Sequence, residues 1–443
     1  MNELTFDDLS DDQKAGHDRV IKNIQNKVHT TITGGPGVGK TTLVKFIFET
    51  LKAMGISGLW LTAPTHQAKN VLAQATGMDA TTVHSALKIS PVTNEEIRVF
   101  EQQRGKKAAD LSECRVFVVE EVSMIDTELF RIIKRTIPSH AVILGLGDKD
   151  QIRPVNSDGK TELSPFFDEE IFDVIRLDKI MRQAEGNPII QVSRAVRDGK
   201  MLKPMSVGDI GVFQHANAVD FLKQYFRRVK TPDDLIENRM FAYTNDNVDK
   251  LNATIRKHLY KTTQPFIVDE VIVMQEPLVQ EMRLNGQIFT EIIYNNNEQI
   301  RVLEIVPRTE VIKADKCDEK ISIDYYLLKT VSLEEGTNAQ IQVVVDPVMK
   351  ERLGNYLAYV ASNYKRIKQQ TGYKAPWHSF WAIKNKFQDV KPLPVCTYHK
   401  GQGSTYDHSY MYTRDAYAFA DYDLCKQLIY VGITRARFTV DYV

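Results

Sequence analysis

Residues 28–54 read VHTTITGGPGVGKTTLVKFIFETLKAM, and the fold is decided there. VHTTIT (28–33) is rich in β-branched residues and predicts a strand. Leu43, Val44, Ile47, Leu51 and Met54 recur at helical spacing on one face and predict a helix. Between them, Gly34, Gly39, Lys40 and Thr41 satisfy G-x-x-x-x-G-K-[ST] in the strand–loop–helix context that gives this pattern meaning. Glycines let backbone N–H groups converge on phosphate oxygens, and the helix N-terminus adds positive potential. The loop residues Gly35, Pro36, Gly37, Val38, Gly39, Lys40, Thr41 and Thr42 are therefore expected to hold a nucleoside triphosphate. Lys40 would neutralise the β- and γ-phosphates, and the Thr41 hydroxyl would ligate Mg²⁺. The competing reading is a chance glycine turn before a helix.

Working outward, GLWLTA (58–63), VFVVE (116–120) and AVILGLGD (141–148) alternate with helical stretches, which predicts a doubly wound parallel sheet. Ligands in such sheets bind at the carboxyl ends of the strands. The run VFVVEEVSM (116–124) ends on Glu120 and Glu121, on a strand expected to lie beside the P-loop strand. Carboxylates at the tip of an apolar strand are costly to desolvate without compensation. Glu120 is the expected Mg²⁺ ligand and Glu121 the base that polarises the attacking water. Glu120 stands where aspartate is usual, and its extra carbon–carbon bond adds about 1.5 Å of reach. The alternative is a pair of solvated acids that merely end a strand.

At 443 residues the chain exceeds one ordinary core, so two or more domains are expected. Lys+Arg and Asp+Glu are equal at 57 each, so bulk charge gives no argument for nucleic-acid binding. The 4 cysteines (Cys114, Cys317, Cys396, Cys425) lack metal-ligand spacing and read as free thiols of a reducing compartment. No signal peptide and no membrane-spanning run are read, so the protein is expected in the cytosol. A base-reading N-K-x-D is absent; the nearest text, NKFQD (385–389), has one residue too many.

The first domain is assigned to residues 1–87 and 104–175. KISPVTNEEIRVFEQQ (88–103) is a hairpin inserted into it, turning about Thr93-Asn94. A second α/β domain takes 176–265 and 391–443. Its insertion, 266–390, begins as short β runs that predict a small barrel and continues as an aromatic-rich helical part. Trp377 and Trp381 sit at i, i+4, a spacing read as a packed helix face before a DNA platform.

The ordered set of motifs resembles that of superfamily 1 DNA helicases of the RecD-like, 5′-to-3′ group. LSDDQ (9–13) resembles the adenine-reading Q motif and APTHQAKNVL (63–72) motif Ia. TTVHSAL (81–87), VVEEVSM and LGLGDKDQIRPV (144–155) resemble motifs Ib, II and III, LDKIMRQ (177–183) motif IV, TYHKGQGSTYD (397–407) motif V and YVGITRAR (430–437) motif VI. The resemblance implies an α/β fold of two RecA-like doubly wound parallel-sheet domains. A strand-separating β-hairpin pin is inserted in the first, and an SH3-like barrel with a helical tower in the second. It implies Mg-ATP hydrolysis in the cleft between them, with Gln13 reading adenine, Gln151 sensing the γ-phosphate, and Arg182 and Arg435 engaging it on closure. Ordinary surface ion pairing is the alternative for both arginines.

The resemblance further implies single-stranded DNA contact through Pro64, Thr65, His66, Thr82, His84, Thr397, His399 and Lys400, and through Pro91 and Phe100 of the pin. Structural hydrogen bonding is the alternative for the histidines, and packing beneath a plain β excursion for Phe100. The implied partners are single-stranded DNA, tailed duplex DNA and single-strand-binding or replication proteins, with the chain acting as a monomer. Two other readings stand beside the helicase: an ATP-gated single-stranded DNA translocase or clamp that displaces proteins, and a P-loop kinase of small substrates.

Overall fold

The structure, a computed structural model, describes residues 5–95, 97–102, 109–156, 159–179, 186–284, 287–372 and 375–443. The first lobe is built on a parallel sheet in the order Ala80–Thr82, Leu59–Ala63, Val116–Val119, Val142–Gly147, Thr30–Thr33, Asp173–Arg176. Strand side chains alternate between faces, so a strand covered on both sides must be apolar throughout. Val116 and Val118 accordingly enter the core under the helices Asp11–Gln25, Lys40–Ala53 and His66–Thr76. Phe117 and Val119 enter the opposite core with Phe130 and Ile133 of helix Thr127–Thr136.

One expectation is corrected here. The strand ending at Glu120 does not lie beside the P-loop strand: Val142–Gly147 pairs with both and separates them. Apolarity cannot distinguish two such runs, but the glycines favour the central slot. A Cβ at Gly145 would fall 2.6 Å from Phe166 Cδ1, and one at Gly147 would fall 2.7 Å from Val122 Cγ2. Asp148 therefore emerges between Glu120 and the P-loop. In the P-loop helix Leu43, Val44, Ile47 and Leu51 are fully buried as expected, whereas Met54 is the C-cap and is 42% exposed.

The inserted hairpin pairs Ile89–Asn94 with Ile97–Gln102 in antiparallel register, Pro91 opposite Phe100 and Asn94 opposite Ile97. The reversal therefore falls after Asn94 rather than about Thr93-Asn94, with Glu95 at φ +53°. The side chains of Pro91 and Phe100 lie outside the described residues.

The second lobe orders its strands Val395–Thr397, Asn238–Ala242, Tyr406–Met411, Ala436–Tyr442, Ile210–Gln214, Met205–Val207, parallel except for the last pair. Its helices include Pro188–Arg197 and Tyr422–Thr434, which share one core, and Ala218–Arg228 and Asn245–Tyr260, which share the other. Between Tyr260 and Val395 the chain forms an antiparallel five-stranded sheet, Asn338–Val343, Ile321–Ser332, Gln299–Ile312, Val271–Met274, Val390–Pro392.

The two long strands of that sheet serve two cores. Ile300, Val302 and Leu328 fill the barrel. Ile312, Ile321 and Ile323 pack beyond it against Tyr356, Val360 and Tyr364 of the helix Pro347–Thr371 and Trp381 of Trp377–Lys384. Trp381 is buried and Trp377 packs edge-on to Tyr364 at 5.3 Å, which bears out the packed-face reading. Trp381 Nε1 also donates to Glu95 O at 2.6 Å, and Lys368 pairs with the Glu95 carboxylate. The helical part thus holds the turn of the hairpin. Among the described residues no helix is long and apolar enough to cross a membrane.

Candidate nucleotide cleft and DNA-facing surface

Three adjacent strands of the first lobe end at the cleft with Gly34, Asp148 and Glu120. Gly34 has no room for a side chain, since a Cβ would fall 2.5 Å from Leu177 O. Gly39 takes φ +74° as N-cap, a conformation glycine adopts without steric cost, and Lys40 opens the helix behind it. Lys40 Nζ donates to Gly34 O at 2.7 Å and Gly35 O at 3.3 Å, which holds the ammonium over the loop. Gln13 is fully buried. Its Oε1 accepts from Ser10 N at 2.9 Å and its Nε2 donates to Val38 O at 2.9 Å. In this structure Gln13 braces the loop that it was expected to assist by reading adenine.

Among the described residues Glu120 Oε2 is buried without a hydrogen-bond partner. Burial first, and then the neighbouring charge of Glu121, push its carboxyl up to about 8 against the opposing pull of Lys40. An orphaned carboxylate oxygen facing a like charge suits a hard divalent cation. Mg²⁺ typically takes one or two carboxylates plus substrate phosphates rather than a full protein cage. Among the described residues no cluster of three acids, histidines or cysteines competes for that role. Thr41 and Glu120 would hold the ion. Glu121 follows at φ +49°, uncommon for a residue with a side chain and typical of functional turns.

The raised Glu120 value has a measurable consequence. An acid whose folded pKa exceeds its ordinary 4.5 destabilises the folded state increasingly as pH rises from 4.5 to about 8, and fully above that. Glu120→Gln carries no charge to bury. Without nucleotide it is expected to be the more stable protein at alkaline pH, by roughly 2 kcal/mol after allowance for solvent screening. The gain should vanish below about pH 4.5. Urea midpoints across pH check this, and a gain independent of pH would refute it.

The second lobe reaches the same cleft through residues that the sequence reading did not single out. Tyr430 Oη donates to Asp148 Oδ2 at 2.5 Å, both groups being buried. The same hydroxyl lies 3.1 Å from where a Gly35 Cβ would stand, and Arg197 Nη1 lies 3.7 Å from that point. Arg197 Nε is 3.9 Å from Asp150 Oδ2. Gln402 Nε2 donates to Gln151 Oε1 at 3.0 Å and Ser123 Oγ at 3.3 Å, joining three motifs across the lobes. Arg435 caps the helix that carries Tyr430. It is 7% exposed and donates to Ser404 O at 3.0 Å, Val431 O at 3.3 Å and Thr434 Oγ1 at 3.1 Å, all in its own lobe. Arg182 lies outside the described residues. Tyr430 and Gln402 stand inside motifs VI and V, where arginine and hydroxyl chemistry draws the eye first.

Pro64, Thr65 and His66 follow the strand Leu59–Ala63, Thr82 and His84 lie at and after the end of Ala80–Thr82, and Thr397, His399 and Lys400 lie at and after the end of Val395–Thr397. Thr65, Thr82 and Thr397 each cap a following helix, accepting from Ala68 N, Ser85 N and Lys400 N. Burial lowers the pKa of His66, His84 and His399, so all three are neutral near pH 7 and suit base stacking better than phosphate neutralisation. Pro64 and Thr65 precede the helix His66–Thr76, and the second lobe touches this corner. Ser404 Oγ donates to Gln67 Oε1 at 2.6 Å, and Gly403 packs beside Thr65 and Glu121.

Two parallel-sheet lobes meeting over a P-loop, with a barrel inserted in the second, define a superfamily 1 helicase. A family described as the Dda helicase SH3 domain matches residues 263–392, and an AAA domain family matches residues 8–217. The ATP-dependent DNA helicase Dda of Enterobacteria phage T4 is 42% identical over 447 aligned residues, covering 99% of this chain and 100% of that one. The chain belongs to the Dda helicase family. The ATP-dependent RecD2 DNA helicase of Deinococcus radiodurans is 31% identical over 189 residues, 43% of this chain and 23% of its own. A solved structure of two coordinating Pif1 helicases on forked duplex DNA shares the fold at a TM-score of 0.50 and 16% identity. It covers 99% of this chain and 92% of that one.

Proposed function

We infer that the chain is an ATP-dependent DNA helicase that moves 5′ to 3′ on single-stranded DNA and separates duplex strands. The observation that carries this reading is the doubly shared cleft. The second lobe sets Tyr430 and Arg197 against P-loop Gly35, and its segment 402–404 against Gln151 and Gln67. A change at the nucleotide therefore moves the same lobe that touches the DNA-facing corner.

In the proposed cycle the P-loop amides and Lys40 bind the triphosphate, with Gln13 holding the loop beside the base. Bound Mg²⁺, on Thr41 and Glu120, would neutralise phosphate charge. Glu121 accepts the proton of the attacking water, and Gln151 senses the γ-phosphate. Arg435 and Arg182 present planar guanidinium forks to charge spread over the γ-phosphate, and they engage only when the lobes close. Closure and opening alternate the grip of Pro64, Thr65, His66, Thr82 and His84 with that of Thr397, His399 and Lys400. The hairpin 88–103, with Pro91 and Phe100, splits the duplex ahead of the motor. Single-strand-binding or replication proteins, a monomeric working state and a cytosolic setting belong to the same proposal.

A translocase or clamp that rarely unwinds is the second reading. The hairpin turn fixed by Trp381 and Lys368 favours the first, because a wedge must resist the load placed on it. With Mg-ATP, a 5′-tailed duplex should be unwound and a 3′-tailed duplex spared. Preference for the 3′ tail would overturn the polarity. DNA-stimulated ATP hydrolysis without unwinding of either substrate would favour the translocase.

A further inference from the structure

Arg197 ends the helix Pro188–Arg197 of the second lobe, and its side chain is 14% exposed. Its Nη1 lies 3.7 Å from where a Gly35 Cβ would stand, so the guanidinium faces the phosphate loop of the other lobe. Lys40 Nζ approaches the same glycine from the first lobe, 3.3 Å from Gly35 O. Two cations therefore meet at one loop residue. Among the described residues Arg197 hydrogen-bonds through Nε alone, donating to its neighbour Asp198 at 3.2 Å, and Nη1 and Nη2 have no hydrogen-bond partner. Asp150 is its counter-charge across the lobes, but at 3.9 Å that contact is an ion pair without a hydrogen bond. Burial first, and then the charge of Asp148, raise the pKa of Asp150 against the pull of Arg197, which weakens its hold on the guanidinium. Arg435 is the opposite case, since its Nε, Nη1 and Nη2 all donate within its own lobe. The guanidinium ready to meet an anion at the loop is that of Arg197.

We propose that Arg197 is a second-lobe contact for the terminal phosphate of the bound triphosphate, made on binding and before Arg435 engages. A γ-phosphate held by Lys40 and the loop amides offers paired oxygens to a planar guanidinium fork, a geometry that an ammonium does not match. Asp150 is held loosely enough to be exchanged for it. The helix Pro188–Arg197 packs against Tyr422–Thr434, whose C-cap is Arg435, and Val192, Val196, Leu428 and Ile429 fill one core. A phosphate that draws in Arg197 therefore draws in the packed pair of helices that carries Tyr430 and Arg435. The contact distinguishes a triphosphate from a diphosphate. It rests on the helicase reading and adds to it the residue that recognises the γ-phosphate in the ground state.

The test is equilibrium binding of the β,γ-imido analogue of ATP and of ADP to the full chain, each with Mg²⁺. Arg197→Gln should weaken the analogue about 10–100-fold, the scale of a hydrogen bond between charged groups, and leave ADP affinity and the thermal midpoint unchanged. Arg197→Lys should recover part of the loss. In steady state the KM for ATP should rise by more than kcat falls, whereas loss of Arg435 should act on kcat. Should Arg197→Gln not fold, Asp150→Asn decides. Freed of its counter-charge, Arg197 should then bind the analogue more tightly and ADP no differently. Equal losses for both nucleotides, no loss in a folded Arg197→Gln protein, or a fall in kcat at unchanged analogue affinity overturns the contact. An Asp150→Asn protein with no gain, or with the same gain for ADP, does so too. A parent that binds neither nucleotide would instead sink the reading on which the contact rests.

Discussion

Glu121→Gln is expected to bind ATP as the parent does and to hydrolyse it about 10²–10⁴-fold more slowly, the usual loss when a general base is removed. Glutamine keeps the shape and the hydrogen-bonding reach but cannot take a proton from water. The position singles out Glu121 rather than Glu120. The Glu120 carboxyl is pushed up to about 8 and carries a buried oxygen with no partner among the described residues, which suits a metal ligand. Glu121 is turned out of the strand line at φ +49° and faces Gly403 of the opposing lobe, whose Cβ would stand 3.9 Å from Glu121 Cγ. A base placed there is covered only when the second lobe is in contact, which ties hydrolysis to closure. Steady-state ATP turnover with saturating oligothymidylate, set against equilibrium nucleotide binding, checks this. Turnover near the parent's rate would remove Glu121 from the role.

Features encoded locally were legible in the sequence, and features set by distant partners were not. The P-loop, the paired glutamates and the burial of Leu43, Val44, Ile47 and Leu51 depend on spacing within one turn or one strand. The order of strands does not. VFVV and VILGLG are both apolar enough for a doubly covered sheet, and only the contacts of Gly145 with Phe166 and Gly147 with Val122 put the second run in the centre. The hairpin was visible as two β runs, but its reversal depends on Glu95 adopting a left-handed conformation and on Trp381 and Lys368 holding it from 286 and 273 residues away. Tyr430, Gln402, Ser404 and Arg197 were invisible as site residues because their partners belong to the other lobe.

Arg435→Lys is expected to lower ATP turnover by about 10³-fold or more, the scale of a missing arginine finger, while leaving nucleotide affinity near the parent's. Lysine keeps the charge but not the planar fork that spans two phosphate oxygens. In this structure Arg435 is bonded to Ser404 O, Val431 O and Thr434 Oγ1, so it must release them to reach a γ-phosphate. Ser404 is also the residue whose hydroxyl donates to Gln67 of the first lobe. Withdrawing Arg435 from Ser404 would free a segment that spans the lobes beside Thr65 and Lys400, which would give the nucleotide a direct hold on the proposed DNA-facing corner. The variant should therefore lose stimulation by single-stranded DNA along with turnover. An Arg435→Lys protein that remains folded, turns over slowly and is still stimulated as strongly as the parent would break the link through Ser404. Normal turnover would remove Arg435 from the chemistry altogether.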